Sequence, residues 1–464
     1  MRLGLKILMV LGLALAILVP LSMIRGVIGE RQMYRTQAVE GIARSYAGAQ
    51  SFAGPVLVVP YTRKVEVEEK DDRGFPRKVV REEAGQWTFF PVSLEAGGQL
   101  RPGVRRRGLH EVRVYEWQAN ARARFDVRIP QDGADNPATA PEGVAPARRI
   151  GRPWLSYGIA DVRGLIGSPR LQVNGVDMAL EEGLGSRDGG GVHVRLAEPS
   201  AGQVLKLETR LDFVLGGTES LAIVPLGKSN RFSIESAWPH PRFGGSFLPR
   251  MHDISAKGFN AQWEVSSLAT NAQAQYLAGK RLPELESGEA EGEAMRMGGI
   301  DAVGLSLVDP VNVYSQADRA SKYGMLFVLL TFVGFFMFEL IKQLRIHPIQ
   351  YVLVGLALAI FFLLLVSLSE HIAFGWAYLA ASVACIGLLG FYVSAVLHSA
   401  VRGIGFAAML ATLYAALYGL LVSEDNALVL GSALLFVILA AIMVVTRRVD
   451  WYQLSGSRAA MARA

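Results

Sequence analysis

The sequence predicts a membrane protein of the α + β class, in which a large β-rich domain lies between the first and second of six transmembrane helices. Three observations support this prediction: six apolar stretches, a soluble region of about 300 residues between the first two of them, and period-two alternation inside that region. The apolar residues, 51% of the chain, are therefore concentrated in the spans rather than spread evenly.

Six stretches are almost free of charged residues. Each, with its flanks, reaches the roughly 20 residues that a helix needs to cross the hydrocarbon core. They are residues 7–24, 326–338, 349–366, 372–396, 404–422 and 427–445. The first begins with basic residues, but it is long for the apolar part of a signal peptide and residues 19–25 contain no small-x-small cleavage pattern. We therefore predict a retained anchor rather than a cleaved signal peptide.

The basic residues of the short loops predict the orientation of the chain. With the N-terminus inside, nine Lys and Arg residues fall on the cytoplasmic side and none falls in the two short outer loops. The predicted order is an N-terminal anchor, an exported domain, a five-helix bundle and a cytoplasmic tail, at residues 1–25, 26–322, 323–446 and 447–464. Both termini are predicted to be cytoplasmic, and residues 26–322 are predicted to be periplasmic.

The net charge of +6 gives no support for a nucleic-acid partner. Residues 26–322 carry 37 Lys and Arg against 36 Asp and Glu, so the basic excess belongs to the membrane part of the chain. A nucleic-acid interface would instead need a basic patch on the folded domain. The lipid bilayer is therefore the one partner that the charge and hydropathy patterns predict.

The region between the anchor and the second span has the pattern of half-buried β-strands. Residues 121–129 and 205–215 alternate apolar and polar side chains, and Asn174-Gly175 between two short apolar runs is typical of a two-residue hairpin. Alternation on one face predicts antiparallel sheets, packed as a sandwich-like domain. The single cysteine, Cys385, lies in a predicted span, so the exported domain is expected to fold without an intrachain disulfide.

Two helical connections and a loop complete the predicted domain. Residues 30–48 continue from the anchor with helix-compatible spacing and predict a helical neck. Residues 315–322 predict a helical stalk that runs into the second span. Residues 283–299 are acidic and poor in core residues, which predicts a surface loop.

Residues 238–249, here called the aromatic loop, are the segment richest in aromatic residues and proline. Two prolines flank His240 and restrict the direction of its imidazole. An exposed loop of this kind is a candidate recognition site for a glycan, a lipid or a partner protein, with Trp238, His240, Phe243 and Phe247 in contact with the ligand. The alternative is a rigid loop whose Trp238 and Phe243 fill the core of the sheets.

Four polar residues are predicted at the outer face of the membrane. Arg319 and Lys322 lie in the stalk, and Glu370 and His371 follow the third span. Because the number of spans places both pairs on the same side, they are candidates for docking the exported domain onto the bundle through ion pairs. Ordinary anchoring at the membrane interface is the alternative use of such residues.

The sequence contains no recognisable catalytic motif. It lacks His-Glu-x-x-His, Gly-x-Ser-x-Gly and the Walker lysine loop. His240, His252 and Asp253 fit no zinc template. We therefore predict a protein that is not an enzyme and needs no cofactor or metal. Its exported domain is expected to bind or sense a component of the cell envelope or a partner protein of the inner membrane, and its helical bundle to anchor that domain or relay its state. A transporter or flippase-like protein, which would need charged or broken helices near the midplane, and a hydrolase in the exported domain are the alternatives.

Five short motifs occur between the end of the neck and the beginning of the third span. They are Gly54-Pro-Val-Leu57, Arg106-Arg-Gly-Leu-His-Glu-Val112, Trp238-Pro-His-Pro241, Asp309-Pro-Val-Asn-Val-Tyr314 and Arg345-Ile-His-Pro-Ile-Gln-Tyr351. In residues and spacing they resemble the CreD family of cell-envelope integrity proteins. The resemblance implies a multi-pass protein of the bacterial inner membrane, associated with a two-component system and with envelope stress. It supplies no catalytic residues and leaves ligand, protein partner and oligomeric state open.

Overall fold

The computed structural model describes residues 3–70, 76–131, 148–185, 189–286, 296–307, 313–342, 347–422 and 427–447. The chain divides into two compact units. The helical unit comprises Met1–Arg35 and Val311–Ala464, and the β unit comprises Thr36–Pro310. The predicted boundaries at residues 25 and 322 refer to the edges of a membrane, so they stay predictions.

The described residues form eight α-helices, six of which have 20 residues or more. They are α1 (Leu3–Ala16), α2 (Leu18–Ser45), α3 (Ala272–Leu277), α4 (Val313–Lys342), α5 (Pro348–Ser369), α6 (Phe374–Val396), α7 (Ala400–Val422) and α8 (Ala427–Thr446). Helix α2 contains most of the predicted neck, and α4 contains the predicted stalk together with the second span. Both segments are confirmed as helical.

Five stretches of helix are long and apolar enough to cross a membrane. They are Leu8–Ser45, Gln316–Met337, Pro348–Ser369, Phe374–Val396 and Ala400–Val422. These stretches correspond to the first five predicted spans. The sixth predicted span, residues 427–445, lies in α8, whose described apolar stretch Val429–Ala440 is shorter. A crossing by α8 stays a prediction.

The helical unit has one continuous apolar core, to which the N-terminal helices contribute. Ile17 lies against α5 at Gly355, where a Cβ atom would come within 2.7 Å of the isoleucine side chain. Glycine therefore permits this close approach of the helices. Farther along the core, the Phe361 ring is centred 5.5 Å from Tyr378 and 4.6 Å from Tyr414. The anchor thus packs into the bundle instead of standing apart from it.

Nineteen strands occur among the described residues. They are β1 (Gln50–Lys70), β2 (Pro76–Phe89), β3 (Ser93–Arg107), β4 (His110–Arg128), β5 (Arg149–Ile150), β6 (Trp154–Ile159), β7 (Leu165–Val173), β8 (Val176–Met178), β9 (Glu181–Glu182), β10 (Gly191–Arg195), β11 (Val204–Thr218), β12 (Ser220–Val224), β13 (Ser229–Ser236), β14 (Arg242–Gly245), β15 (Met251–Ser255), β16 (Gly258–Ser266), β17 (Glu284–Glu286), β18 (Arg296–Gly298) and β19 (Val303–Ser306).

Most of the strands belong to two large sheets. Sheet A has the order β14-β19-β12-β1-β6-β10-β9, with β2 and β5 also paired to β1, and sheet B has the order β15-β16-β13-β3-β4-β11-β7-β8. The hairpin predicted at Asn174-Gly175 joins β7 to β8, and both residues have positive φ, as a tight turn of this type requires. The predicted loop at residues 283–299 is corrected at its two ends, where β17 and β18 pair, and residues 287–295 lie outside the described residues.

Each large sheet contains one parallel pair of strands. β1 runs parallel to β12, with Phe52 opposite Ile223, and β3 runs parallel to β13, with Ala96 opposite Phe232. The prediction of antiparallel sheets is therefore corrected to mixed sheets. Alternation of apolar and polar residues indicates which face of a strand is buried, but it contains no information about the direction of the neighbouring strand.

The inner faces of the two sheets share an apolar core. Phe52 of sheet A is centred 5.2 Å from Phe213 and 6.1 Å from Trp117, both of sheet B. In β4 and β11 the buried residues alternate with exposed ones, as the sequence predicts. The other face of sheet A is covered by a second cluster that includes Tyr276 of α3. The β unit is thus a sandwich with an additional layer on one side.

Candidate functional site

The aromatic loop connects an edge of each sheet. It leaves β13 in sheet B, forms β14 at the edge of sheet A, and leads into β15 at the edge of sheet B. The Trp238 side chain is half-buried, and its Nε1 donates a 2.8 Å hydrogen bond to the backbone oxygen of His240. The guanidinium carbon of Arg113 lies 4.5 Å from the indole ring centre, within cation–π range. The tryptophan is therefore held in one orientation.

The other aromatic residues of the loop pack against the sandwich. The Phe243 ring meets Phe259 and Trp263 edge to face, with both centroid distances at 5.7 Å. Phe247 packs against the same core, whereas His240 is exposed. This packing agrees with the interpretation of the loop as a rigid segment that fills the core. Recognition of a ligand by these four residues stays a prediction.

The most exposed apolar side chains of this region lie at the end of the aromatic loop and in the strand that follows it. Leu248, Met251 and Ile254 are 71%, 59% and 45% exposed. Every residue of β15 is exposed. We call Leu248 and strand β15 together the β15 edge. The sequence pattern does not reveal it, because a five-residue strand exposed on both faces shows no apolar–polar period.

Strand β15 is the terminal strand of sheet B. It pairs with β16 from Met251–Gln262 to Ser255–Gly258, and no strand in the described part of the chain pairs with its other side. Edge strands are often protected from further pairing by short length, by charged side chains, above all lysine, by proline or by a bulge. The sequence of β15, Met-His-Asp-Ile-Ser, contains neither lysine nor proline, and Asp253 is its one acidic residue. The free side of β15 therefore presents backbone groups that no strand of the described residues pairs with.

The residues predicted to dock the exported domain all belong to the helical unit. Glu370 caps α5, its side chain is 8% exposed, and its Oε1 lies 3.4 Å from Nε of Arg31 in α2. Lys322 forms a 2.7 Å ion pair with Asp318 one turn earlier in α4. Nδ1 of His371 is 3.2 Å from the backbone oxygen of the residue four positions before it. Docking of the β unit through these residues stays a prediction.

Two arginines of α2 form polar contacts with other helices of the helical unit. Arg31 reaches Glu370 of α5, as described above. Arg25 donates hydrogen bonds to Ser321 of α4, 2.9 Å from Nη2 to the backbone oxygen and 3.2 Å from Nε to the hydroxyl. Sequence reasoning missed both contacts, because about 300 residues separate the partners along the chain. Arg319, the remaining predicted docking residue, is half-buried in α4 next to this cluster in sequence.

A buried acid connects two helices of the same unit. Glu339 of α4 is 2% exposed, and its Oε2 accepts a 2.8 Å hydrogen bond from the hydroxyl of Tyr351 in α5. The rings of Phe332 and Phe335 are centred 5.7 and 4.9 Å from that of Tyr351. A carboxylate among aromatic rings is costly unless it is hydrogen-bonded, so the tyrosine fixes the packing of α4 against α5.

These observations define a class: a multi-pass membrane protein that combines a unit of apolar helices with a two-sheet β unit. The model of the family described as "Inner membrane protein CreD" matches residues 2–452. The chain is 35% identical over 446 residues to the inner membrane protein CreD of Escherichia coli (strain K12), covering 96% of this chain and 92% of that protein. The chain belongs to the CreD family, and the family resemblance seen in the sequence is confirmed.

Proposed function

We propose that this inner-membrane protein is not an enzyme and that its β unit binds an extended segment of a partner protein in the cell envelope. In this role it serves envelope integrity under stress, and its helices hold the β unit at the membrane. The observation that supports the proposal is the β15 edge, a terminal strand without lysine or proline and with three exposed apolar side chains at or beside it.

A polypeptide fits this edge better than a glycan or a lipid does. A terminal strand offers backbone N–H and C=O groups at the spacing of a β-ladder, and another polypeptide in extended conformation offers the complementary series. Met251 and Ile254 lie an odd number of positions apart, so they point to opposite faces of the sheet. Each can contact an apolar side chain on one face of the added strand, which gives sequence specificity.

Crosslinking inside cells tests this proposal. A photoreactive amino acid in place of Ile254 should form an adduct with a contiguous segment of one other envelope protein, which mass spectrometry locates. The matched control places the photoreactive residue at Val176, which is 61% exposed in β8 at the opposite end of sheet B. We expect no such adduct from position 176.

A second part of the same experiment introduces a positive charge into the β15 edge. Met251→Lys should reduce the adduct from position 254 about tenfold, equivalent to about 1.4 kcal/mol, because a lysine at an edge opposes strand addition. Adducts with lipid or glycan alone, or equal adducts from positions 176 and 254, would refute the proposal. An adduct with the protein's own sequence would show that a second copy, rather than a different partner, occupies the edge.

We also propose that the β unit is periplasmic and that both termini are cytoplasmic, on the basis of the nine basic residues in the predicted inner segments. In a Cys385→Ala background, a cysteine at Ser233, which is exposed in β13, should react with a membrane-impermeant thiol reagent in intact spheroplasts. A cysteine at Ser457 in the tail should react only after lysis. Labelling of position 457 before lysis would contradict this orientation.

A further inference from the structure

An open recess on the outer face of sheet B is a second candidate ligand site. It has a volume of 310 Å³ and lies where β13 begins and β16 ends, with Ser229 opposite Ser266 in the ladder. Its lining residues are Lys228, Ser229, Asn230, Arg231, Glu264, Val265 and Ser266. Two hydroxyls and two basic side chains therefore face one concave surface.

The buried side-chain amide of Asn230 holds the turn that contains Lys228 in one conformation. Asn230 is 2% exposed, and its Nδ2 donates hydrogen bonds to the backbone oxygens of Gly227 and Val265 at 2.7 and 2.9 Å. Its Oδ1 accepts a 2.7 Å hydrogen bond from the backbone N–H of Gly227. The backbone N–H of Lys228 donates to Pro91 at 2.9 Å. The backbone of the recess is therefore ordered before a ligand arrives, which lowers the entropic cost of binding.

The charges around the recess favour an anion. The guanidinium groups of Arg231 and Arg250 both pair with the carboxylate of Glu264, and the hydrogen bond from Arg231 lowers the pKa of that carboxyl. Two positive charges therefore surround one negative charge. Glu95, exposed in β3 opposite Arg231 in the ladder, adds a second negative charge. No carboxylate among the described residues forms an ion pair with the ammonium of Lys228, and the three cations outnumber the two acids, so the net charge is positive.

A neighbouring strand adds one more cation to this surface. In the β3–β13 ladder Ser93 lies opposite Ser229, and its hydroxyl accepts a 2.9 Å hydrogen bond from Nε of Arg124 in β4. The hydroxyls of Ser93, Ser229 and Ser266 thus follow one row across three strands. Hydroxyl donors beside ammonium and guanidinium groups are the set that binds a tetrahedral oxyanion.

We propose that this recess binds a phosphate group, with Lys228 and Arg231 as its charged contacts and the hydroxyls of Ser229 and Ser266 as its neutral donors. Phosphate suits the site because its double negative charge and several acceptor oxygens match both the net charge and the number of donors. The group can be free or can be carried by a sugar or a lipid. The site uses side chains outside the β15 edge, so it is independent of the partner protein proposed above.

Calorimetric titration of the full-length protein in detergent, in a chloride buffer, tests the phosphate site. The probes are inorganic phosphate, glucose 6-phosphate and a short-chain phosphatidic acid, with glucose as the uncharged control. At least one phosphate probe should bind, and glucose should not. Lys228→Gln and Arg231→Gln should each weaken that binding about tenfold or more, because each removes a charge-assisted hydrogen bond. Lys206→Gln, at an exposed lysine of β11 on the same face, is the matched control and should leave binding unchanged.

The three probes also distinguish the sources of the phosphate. Equal affinity for all three assigns the site to free phosphate, tighter binding of glucose 6-phosphate assigns it to a glycan, and tighter binding of phosphatidic acid assigns it to a lipid. The proposal is overturned if none of the three probes binds. It is also overturned if Lys228→Gln and Lys206→Gln bind the same probe with equal affinity.

Discussion

Replacing Trp117 by alanine should lower the free energy of unfolding of the β unit by about 3–5 kcal/mol. The Trp117 side chain is fully buried, and its ring meets Phe52 and Phe213 edge to face at 6.1 and 5.5 Å. Because Phe52 belongs to sheet A and the other two residues belong to sheet B, the cavity would open between the sheets. Urea unfolding of the full-length protein in mild detergent, followed by far-ultraviolet circular dichroism, measures the loss.

Trp117→Phe is the matched control for this prediction. The indole Nε1 of Trp117 has no hydrogen-bond partner in the described structure, and a buried unpaired donor costs about 1–3 kcal/mol. Phenylalanine keeps an aromatic ring between the sheets and removes that donor, so the two effects partly cancel. We expect a loss clearly smaller than that of Trp117→Ala, because the cavity left by phenylalanine is smaller. Equal losses for the alanine and phenylalanine variants would show that the aromatic packing is not the cause.

The second large effect concerns the ion pair between α2 and α5. Glu370→Lys should destabilise the helical unit by about 2 kcal/mol, because it replaces a nearly buried carboxylate with a cation that faces Arg31. We place the figure below the usual cost of breaking a buried pair, since the Arg31 side chain is 41% exposed and water screens part of the charge. Thermal unfolding of the full-length protein in detergent measures the shift.

Reversal of the opposite charge identifies which residue pairs with position 370. Arg31→Glu in the Glu370→Lys background should restore most of the lost stability. Lys322→Glu in the same background is the control, because Lys322 pairs with Asp318 instead. Rescue by Lys322→Glu and none by Arg31→Glu would favour the pairing with the stalk that the sequence alone suggested.

Local patterns of the sequence account for most of the secondary structure. Apolar stretches near 20 residues long mark helices, and the alternation in residues 121–129 and 205–215 marks strands whose buried face the structure confirms. Strand direction and sheet order depend on partners far away in sequence, and no local pattern encodes them. The pairing of β17 with β18 joins two three-residue strands, which are too short for any period to appear.

The candidate site was harder to predict, for two physical reasons. Aromatic residues such as Trp238 and Phe243 suit both a binding surface and a core, so composition alone could not choose between the two. The β15 edge is defined by its exposed side chains and by backbone groups that no neighbouring strand covers. Both are properties of the assembled sheet. The pair of Arg31 and Glu370 joins helices whose proximity only the packed bundle establishes.

The parallel pairs of the two sheets govern the order in which the β unit can fold. The parallel pairing of β1 can form only after β12, about 170 residues later, has been synthesised. The parallel pairing of β3 likewise requires β13, about 135 residues later. At a synthesis rate of roughly 5–20 residues per second, the inner edge of β1 stays without its parallel partner for about 10–30 s. Such nonlocal pairing makes closure slow. A nascent chain that stops before Val224 therefore leaves both sheets unfinished, with the apolar faces of the early hairpins open to aggregation.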